Sequence, residues 1–253
     1  MTFELDHVVH FIGNNEEEIL PELEKLNLKS INGSAHPDWG TANILSYAGL
    51  SYVEYLFIRD EEKAIASNNP LIQLMVEDLK VREGFGQLCF RCDDIHKVKA
   101  ELKERGYRTG NIIEGNRSQQ DGTILKWKML FLDESSKSAL PWPFFIEWDE
   151  SSQERKERLK RIGAISPENE SRSIKLIRMA SDDPENDMIE WKKAFGLEGG
   201  KMARDPFVLD LNGTHLIFEN RKELNLPFSR PISLQFTSSP FPKTIVYRGA
   251  AYQ

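Results

Sequence analysis

The sequence predicts an α+β fold in which one structural unit is repeated. A short aromatic strand at residues 51–58 carries Glu54 at its centre, and a second such strand carries Glu147. The order strand, helix, strand, strand, strand also occurs twice, in residues 1–60 and 84–150. A carboxylate on a strand with two apolar faces costs free energy unless it is paired, hydrogen-bonded or bound to a metal ion. The repeat therefore predicts paired βαβββ modules with one acid in each.

The first repeat begins with a predicted strand at residues 3–12. His7 lies among the apolar side chains of one face, whereas His10 points to the other face. Three consecutive glutamates favour a helix start after this strand, and Pro21 predicts that the regular helix begins only near it. A polar loop follows at residues 34–40. Three further strands are predicted at residues 28–33, 41–47 and 51–58.

The second repeat follows a connector of two helical segments in residues 60–83. A strand at residues 85–92 precedes a helix from Ile95 to Arg105, which Gly106 ends. Strands are predicted at residues 107–113, 123–132 and 143–148. In this arrangement Gln87 falls where His7 falls in the first repeat.

The last third of the chain predicts a further, related module. Residues 151–170 form a partly helical linker, in which the cluster Arg155–Arg161 is interpreted as a solvated helix face. Residues 171–253 are predicted to form a C-terminal module of βαββ type, with no convincing counterpart of His7 or Glu54. The predicted division is thus a domain at 1–150, the linker, and the module, which could pack on the first two repeats or pair with its copy in a homodimer.

Composition narrows the class of protein. The 253-residue chain has a formal net charge of −7 and a pI of about 5.4, which argues against nucleic acid or an anionic membrane as partner. It shows neither a signal peptide nor an apolar stretch of about 20 residues, so we expect a cytoplasmic protein. Cys89 and Cys92 lie within one strand and should point to opposite faces, which favours two buried thiols over a redox or zinc pair.

With the repeat established, the chain resembles the vicinal oxygen chelate superfamily, and within it the glyoxalase-like proteins. The resemblance covers about residues 3–150. The order and the repetition of its motifs make it specific. These motifs are Leu5-Asp6-His7-Val8-Val9, His36 to Asn43 followed by Tyr52-Val53-Glu54, Asp121-Gly122-Thr123 to Trp127, and Pro143 to Trp148. It implies that two βαβββ modules form an open cup-shaped sheet, with metal ligands on the first and last strand of each.

Carried onto this chain, the resemblance implies a ligand set of His7, Glu54, Gln87 and Glu147. One imidazole, two carboxylates and an amide oxygen suit a divalent ion such as Zn, Ni, Mn, Fe or Co. The chain departs from many relatives at Gln87, where they have histidine and this chain has a weak neutral donor. The alternative for His7 is a satisfied core histidine.

The same resemblance implies chemistry on a small oxygenated metabolite. A bound metal would polarise neighbouring substrate oxygens, and Glu147 or Glu54 would act as general base. Isomerase, lyase or hydrolytic chemistry is favoured over dioxygenase chemistry, because only one histidine is available. Candidate substrate-binding residues are His36, Trp39, Thr41, Asn43, Arg117 and Trp127.

Two other interpretations remain open. The same cup could sequester a small compound, with aromatic compounds among the candidates, without metal or turnover. The C-terminal module could instead serve as an interaction module. For His36, a hydrogen bond within its own loop is as reasonable as substrate binding.

Overall fold

The computed structural model describes residues 3–13, 16–118, 124–133, 138–202 and 205–253. Helices and strands alternate along these ranges as the repeat predicts. In chain order they are β1 (Glu4–Ile12), α1 (Glu16–Lys25), β2 (Ile31–His36), β3 (Thr41–Ala48), β4 (Ser51–Ile58), α2 (Glu61–Ala66), α3 (Pro70–Leu79), β5 (Gly84–Arg91), α4 (Ile95–Glu104), β6 (Ile113–Ser118), β7 (Ile124–Leu130), β8 (Phe144–Trp148), α5 (Ser152–Arg161), β9 (Ile174–Ser181), α6 (Pro184–Phe195), β10 (Glu198–Met202), β11 (Asp205–Leu211), β12 (Thr214–Asn220), β13 (Arg230–Phe236), β14 (Ile245–Tyr247) and β15 (Ala250–Tyr252).

The α+β class and the βαβββ modules are confirmed. The first module runs from β1 to β4, and the second comprises β5, α4 and β6 to β8. The third module is also a full βαβββ unit, since β10 adds a strand that the predicted βαββ pattern lacked, and β13 to β15 follow it. Side-chain caps start the later helices: Asp94 accepts from Lys97 N, and Asp183 accepts from Asn186 N.

Three local predictions were wrong. Helix α1 begins at Glu16 and contains Pro21, because the buried stripe of Ile19 and Leu23 stabilises it despite the lost hydrogen bond. The predicted loop at residues 34–40 begins later, since β2 pairs with β3 as far as His36. The predicted strand at 107–113 is displaced to β6. Among the described helices, none has the length and apolarity needed to cross a membrane.

The described residues form two compact units, each assembled from separate segments. The first unit takes residues from 1–6, 87–151 and 175–231. Within it the strand orders are β5-β8-β7-β6 and β10-β11-β12-β9. Its core is aromatic: Trp191 and Phe195 of α6 contact Phe90 at centroid distances of 6.3 and 5.6 Å, and Phe195 also contacts Phe145.

The second unit takes residues from 7–86, 152–174 and 232–253. Its strand orders are β2-β3-β4-β1 and β13-β15-β14. One core cluster joins Leu45, Tyr47 and Tyr52 of the strands to Leu159 of α5 and to Ile165. Both units draw on residues before and after the predicted linker, and the sequence-based division at residues 150 and 171 stays a prediction.

Candidate functional site

His7 and Glu54 lie side by side on one face of the second unit. In the parallel β1–β4 pair, His7 is opposite Tyr52 and Val9 is opposite Glu54, so the imidazole and the carboxylate project to the same side. His7 Nε2 is 3.3 Å from Glu54 Oε2. Their exposed fractions are only 3% and 8%. The structure therefore brings together the two ligands predicted in the first module.

Asn43 fixes the orientation of the Glu54 carboxylate. Its Nδ2 donates to Glu54 Oε1 over 2.5 Å, while its Oδ1 accepts from Ser34 N at 2.7 Å. This position depends on Gly33, because a Cβ there would lie 1.9 Å from Asn43 Oδ1. The predicted substrate residue Asn43 thus acts directly on Glu54.

Electrostatics keep Glu54 ionised. Burial by itself would raise the pKa of this carboxyl group, but the hydrogen bond and charge of His7 oppose burial. The charge of His36 and the bond from Asn43 act in the same direction, so the pKa of Glu54 is lowered from its usual value. A carboxylate with a lowered pKa is a weaker general base than one with the usual pKa.

The His7 ring rests on Tyr52, with ring centroids 4.5 Å apart and planes 25° apart. The guanidinium of Arg155 in α5 lies 5.6 Å from the centroid of the Tyr52 ring. Arg155 and Arg158 are 1% and 6% exposed, so the prediction of a solvated face for this cluster was wrong at these two positions. Their spacing with Leu159 gives α5 one buried stripe, a pattern that a reading by charge alone overlooks.

His36 and Thr41 lie on the same sheet as Glu54, and Trp39 lies in the turn that joins their strands. His36 Nδ1 is 3.0 Å from Thr41 Oγ1, and the His36 ring is 5.6 Å from that of Trp39. The β3–β4 register places Thr41 and Asn43 on the Glu54 face, and His36 is opposite Thr41. His36 therefore pairs with a neighbouring side chain at the edge of the face that carries Glu54.

In the first unit, the side-chain amide of Gln87 is buried, and a hydrogen bond from its nitrogen fixes its orientation. Its Nε2 donates to Trp142 O at 2.6 Å. Its Oε1 is buried and has no hydrogen-bond partner among the described residues. Because buried acceptors are normally satisfied, this oxygen is a candidate to bind a ligand or an ion.

Glu147 does not share the face of Gln87. In the parallel β5–β8 pair, Cys89 is opposite Phe144 and Arg91 is opposite Ile146, so alternation sends Glu147 to the other side. There Glu147 Oε2 accepts from Ile95 N at 2.6 Å, and its Oε1 accepts from Lys128 Nζ at 2.7 Å. The structure thus separates two members of the predicted ligand set and gives Glu147 other partners.

Trp127 and Glu147 line a cavity of about 300 Å³ in the first unit. The Trp127 ring covers Gly115, where a Cβ would approach Trp127 Cε2 to 2.3 Å. Arg117 is opposite Leu125 in the β6–β7 pair and shares the face of the Trp127 side chain. The motif segment 121–123 lies outside the described residues. The full lining is Glu114, Gly115, Asn116, Lys126, Trp127, Lys128, Glu147 and Asp149.

Comparison with known proteins decides the family. The model of the glyoxalase-like domain matches residues 5–195, three quarters of the chain. The chain belongs to the glyoxalase-like domain family. This glyoxalase-like protein has no match among curated proteins.

Two solved structures share this fold over more than nine tenths of the chain. A hypothetical protein from Staphylococcus aureus is 21% identical, with a TM-score of 0.83 over 99% of this chain and 98% of the other. A mutant of 4-hydroxymandelate synthase from Streptomyces coelicolor is 11% identical, with a TM-score of 0.54 over 93% of this chain and 71% of the other. A methylmalonyl-CoA epimerase from Mycobacterium tuberculosis is 16% identical and matches 58% of this chain and 88% of its own, at a TM-score of 0.41. The first two likenesses, at 21% and 11% identity, establish the fold alone, and function has to be argued from the site.

Proposed function

We propose that this glyoxalase-like protein is a divalent-metal-dependent enzyme of the isomerase or lyase type, acting on a small oxygenated metabolite. The observation that most directly supports this proposal is the buried contact between His7 Nε2 and Glu54 Oε2 at 3.3 Å. Two ligands bonded at about 2.1 Å to a tetrahedral ion are about 3.4 Å apart. The donor spacing therefore fits a metal ion without rearrangement of either side chain.

The surroundings of the pair also fit a metal site. Asn43 holds the second oxygen of Glu54, and stacking on Tyr52 holds the His7 ring. Such supporting contacts commonly orient ligands and tune their affinity. A nitrogen and carboxylate donor set suits Zn, Ni, Mn, Fe or Co. A bound ion of this kind would supply Lewis-acid polarisation of a substrate oxygen.

We assign the remaining predicted ligands by their contacts. Gln87 belongs to the first unit, where its Oε1 is buried and has no partner among the described residues, and its role as a ligand stays a prediction from the resemblance. Glu147 is engaged by Lys128 and by the first amide of α4, so we assign it to that contact and not to the ligand set. The lowered pKa of Glu54 suits a charged ligand more than a general base. His36 and Thr41 are proposed to contact substrate at the edge of this face.

A second candidate is a metal-free small-molecule binding protein. One observation favours it: the His7–Glu54 contact already pairs the two groups, and both are nearly inaccessible. In that case the aromatic surroundings of Tyr52 and Tyr47 would hold an apolar ligand. A cytoplasmic location and a homodimer remain predictions under either function.

Metal analysis of protein purified without chelators tests the first proposal. We expect about one divalent ion per chain and a rise in melting temperature on metal addition. His7→Gln and Glu54→Gln should each lower metal affinity by at least about tenfold. His96→Gln, at an exposed position, is the matched control and should retain the ion.

Absence of both metal and metal-dependent stabilisation in the wild type would reject the metal-dependent function. Tight binding of an aromatic compound that is never turned over, in protein treated with EDTA, would then support the binding protein.

A further inference from the structure

The third module contains a pair with the same diagonal geometry as His7 and Glu54. In the parallel β9–β12 pair, Arg178 is opposite Ile217 and Ala180 is opposite Glu219. Glu219 is thus displaced by two residues from the partner of Arg178, as Glu54 is from the partner of His7. In this pair the permanently charged guanidinium of Arg178 takes the place of the imidazole, so the cation beside Glu219 is a side chain of the protein.

Glu219 fixes the guanidinium in one orientation. Arg178 Nε donates to Glu219 Oε2 at 2.6 Å, and Nη2 donates to Oε1 at 2.5 Å. Nη1 makes no hydrogen bond to any residue in the described part of the chain. The side chain of Arg178 is 38% exposed and that of Glu219 is 18% exposed. An oriented donor with access to solvent is consequently available on this strand pair.

The row of Arg178 across the sheet is apolar and half-buried, and the next row on the same face carries Asp210 and His215. Leu176 lies two residues before it on β9, and Ile217 and Val208 continue its row across β12 and β11. The row ends at Gly200 on β10, where a Cβ would have no atom within 4 Å. A charged donor therefore adjoins an apolar surface with open space at its end.

We propose that this face binds a small organic carboxylate with an apolar body, independently of any metal. The carboxylate accepts hydrogen bonds from the Nη1 edge of Arg178, and the apolar body covers Ile217 and Val208. Charge-assisted bonds to an oriented guanidinium are strong, because little side-chain freedom is lost on binding. The negative charge of Glu219 moderates the affinity, so a ligand of ten heavy atoms should bind with a dissociation constant on the order of millimolar.

The test uses phenylacetate as probe, with the full chain in buffer containing EDTA and NMR titration as readout. Phenylacetamide removes the charge of the probe, and acetate removes its apolar body. We expect phenylacetate to bind at least about tenfold more tightly than either. Arg178→Gln/Glu219→Gln replaces both charges with neutral groups of similar shape and should abolish the preference. Arg108→Gln, which removes an 85% exposed arginine, is the control.

Equal binding of phenylacetate to wild type and double variant would overturn the proposal, as would no binding to the wild type. A wild-type dimer that the double variant dissociates would also overturn it, because a second copy would then cover the face. None of these outcomes depends on a metal at His7, so they are separate from the test of the proposed function.

Discussion

Lowering the pH from about 7 to about 5 should destabilise this protein through His10. This residue is fully buried in the second unit, with Nδ1 2.6 Å from Tyr252 Oη and Nε2 3.0 Å from Arg248 O. A carbonyl only accepts, so Nε2 carries the proton and Tyr252 donates to Nδ1. A second proton on the ring would remove the acceptor for Tyr252 and place a charge in the core.

The size of the effect follows from the shift in pKa. Burial lowers the pKa of His10 from 6.5 to about 3, and the charges of Arg82 and Arg248 add to this, against the bond to Arg248 O. In the unfolded chain His10 takes up a proton below about pH 6.5, whereas the folded protein excludes it. Above that pH, His10 therefore costs the folded protein no stability. As the pH falls towards about 3, the free energy of unfolding decreases by about 1.4 kcal/mol per pH unit. Between about pH 6.5 and 5 the expected loss is about 2 kcal/mol.

Urea unfolding at several pH values measures this loss. His10→Gln has no group that titrates in the window, so its free energy of unfolding should depend less steeply on pH than that of the wild type. His215→Gln removes a histidine that is 47% exposed and should leave the slope unchanged. The pH range of the test ends at about 5, because carboxylates with a lowered pKa, such as Glu54, take up protons at lower pH. Their protonation also destabilises the folded protein. Equal slopes for wild type and His10→Gln would refute the reasoning.

Two further substitutions test packing and the site. Gly115→Ala places a Cβ 2.3 Å from Trp127 Cε2 and should lower the free energy of unfolding in urea by about 1–3 kcal/mol. Gly110→Ala is the control, because the nearest neighbour of its Cβ is 4.0 Å away. An equal loss of stability for both variants would contradict the packing argument. Asn43→Leu removes a hydrogen bond to Glu54 and should raise the pKa of that carboxyl group, measured by carboxyl NMR titration; an unchanged pKa would show that Asn43 does not help to hold the charge.

Local signals in the sequence sufficed for most of the fold. The predicted helix at Ile95 begins there, and the side chain of Asp94 accepts the backbone hydrogen bond that caps it. Gly106 was the predicted end of that helix and has a positive φ of 82°, a conformation that glycine favours. The strand β10 escaped prediction because Glu198–Met202 contains two glycines and little apolar periodicity, and pairing with β11 forms it.

The sequence by itself determined the order of the modules, whereas the pairing of His7 with Glu54 was implied by the resemblance to the glyoxalase-like proteins. Alternation placed each residue on one face of its own strand, and the register of the parallel β1–β4 pair puts both side chains on the same side. Only the tertiary structure decided the side of the sheet to which Glu147 projects, because that side depends on the register of β5 against β8. A shift of one residue moves a side chain through the sheet, and here it leaves Gln87 and Glu147 on opposite sides. Burial of Arg155 was likewise decided by packing, since a charged helix shows in isolation no reason to turn its arginines inward.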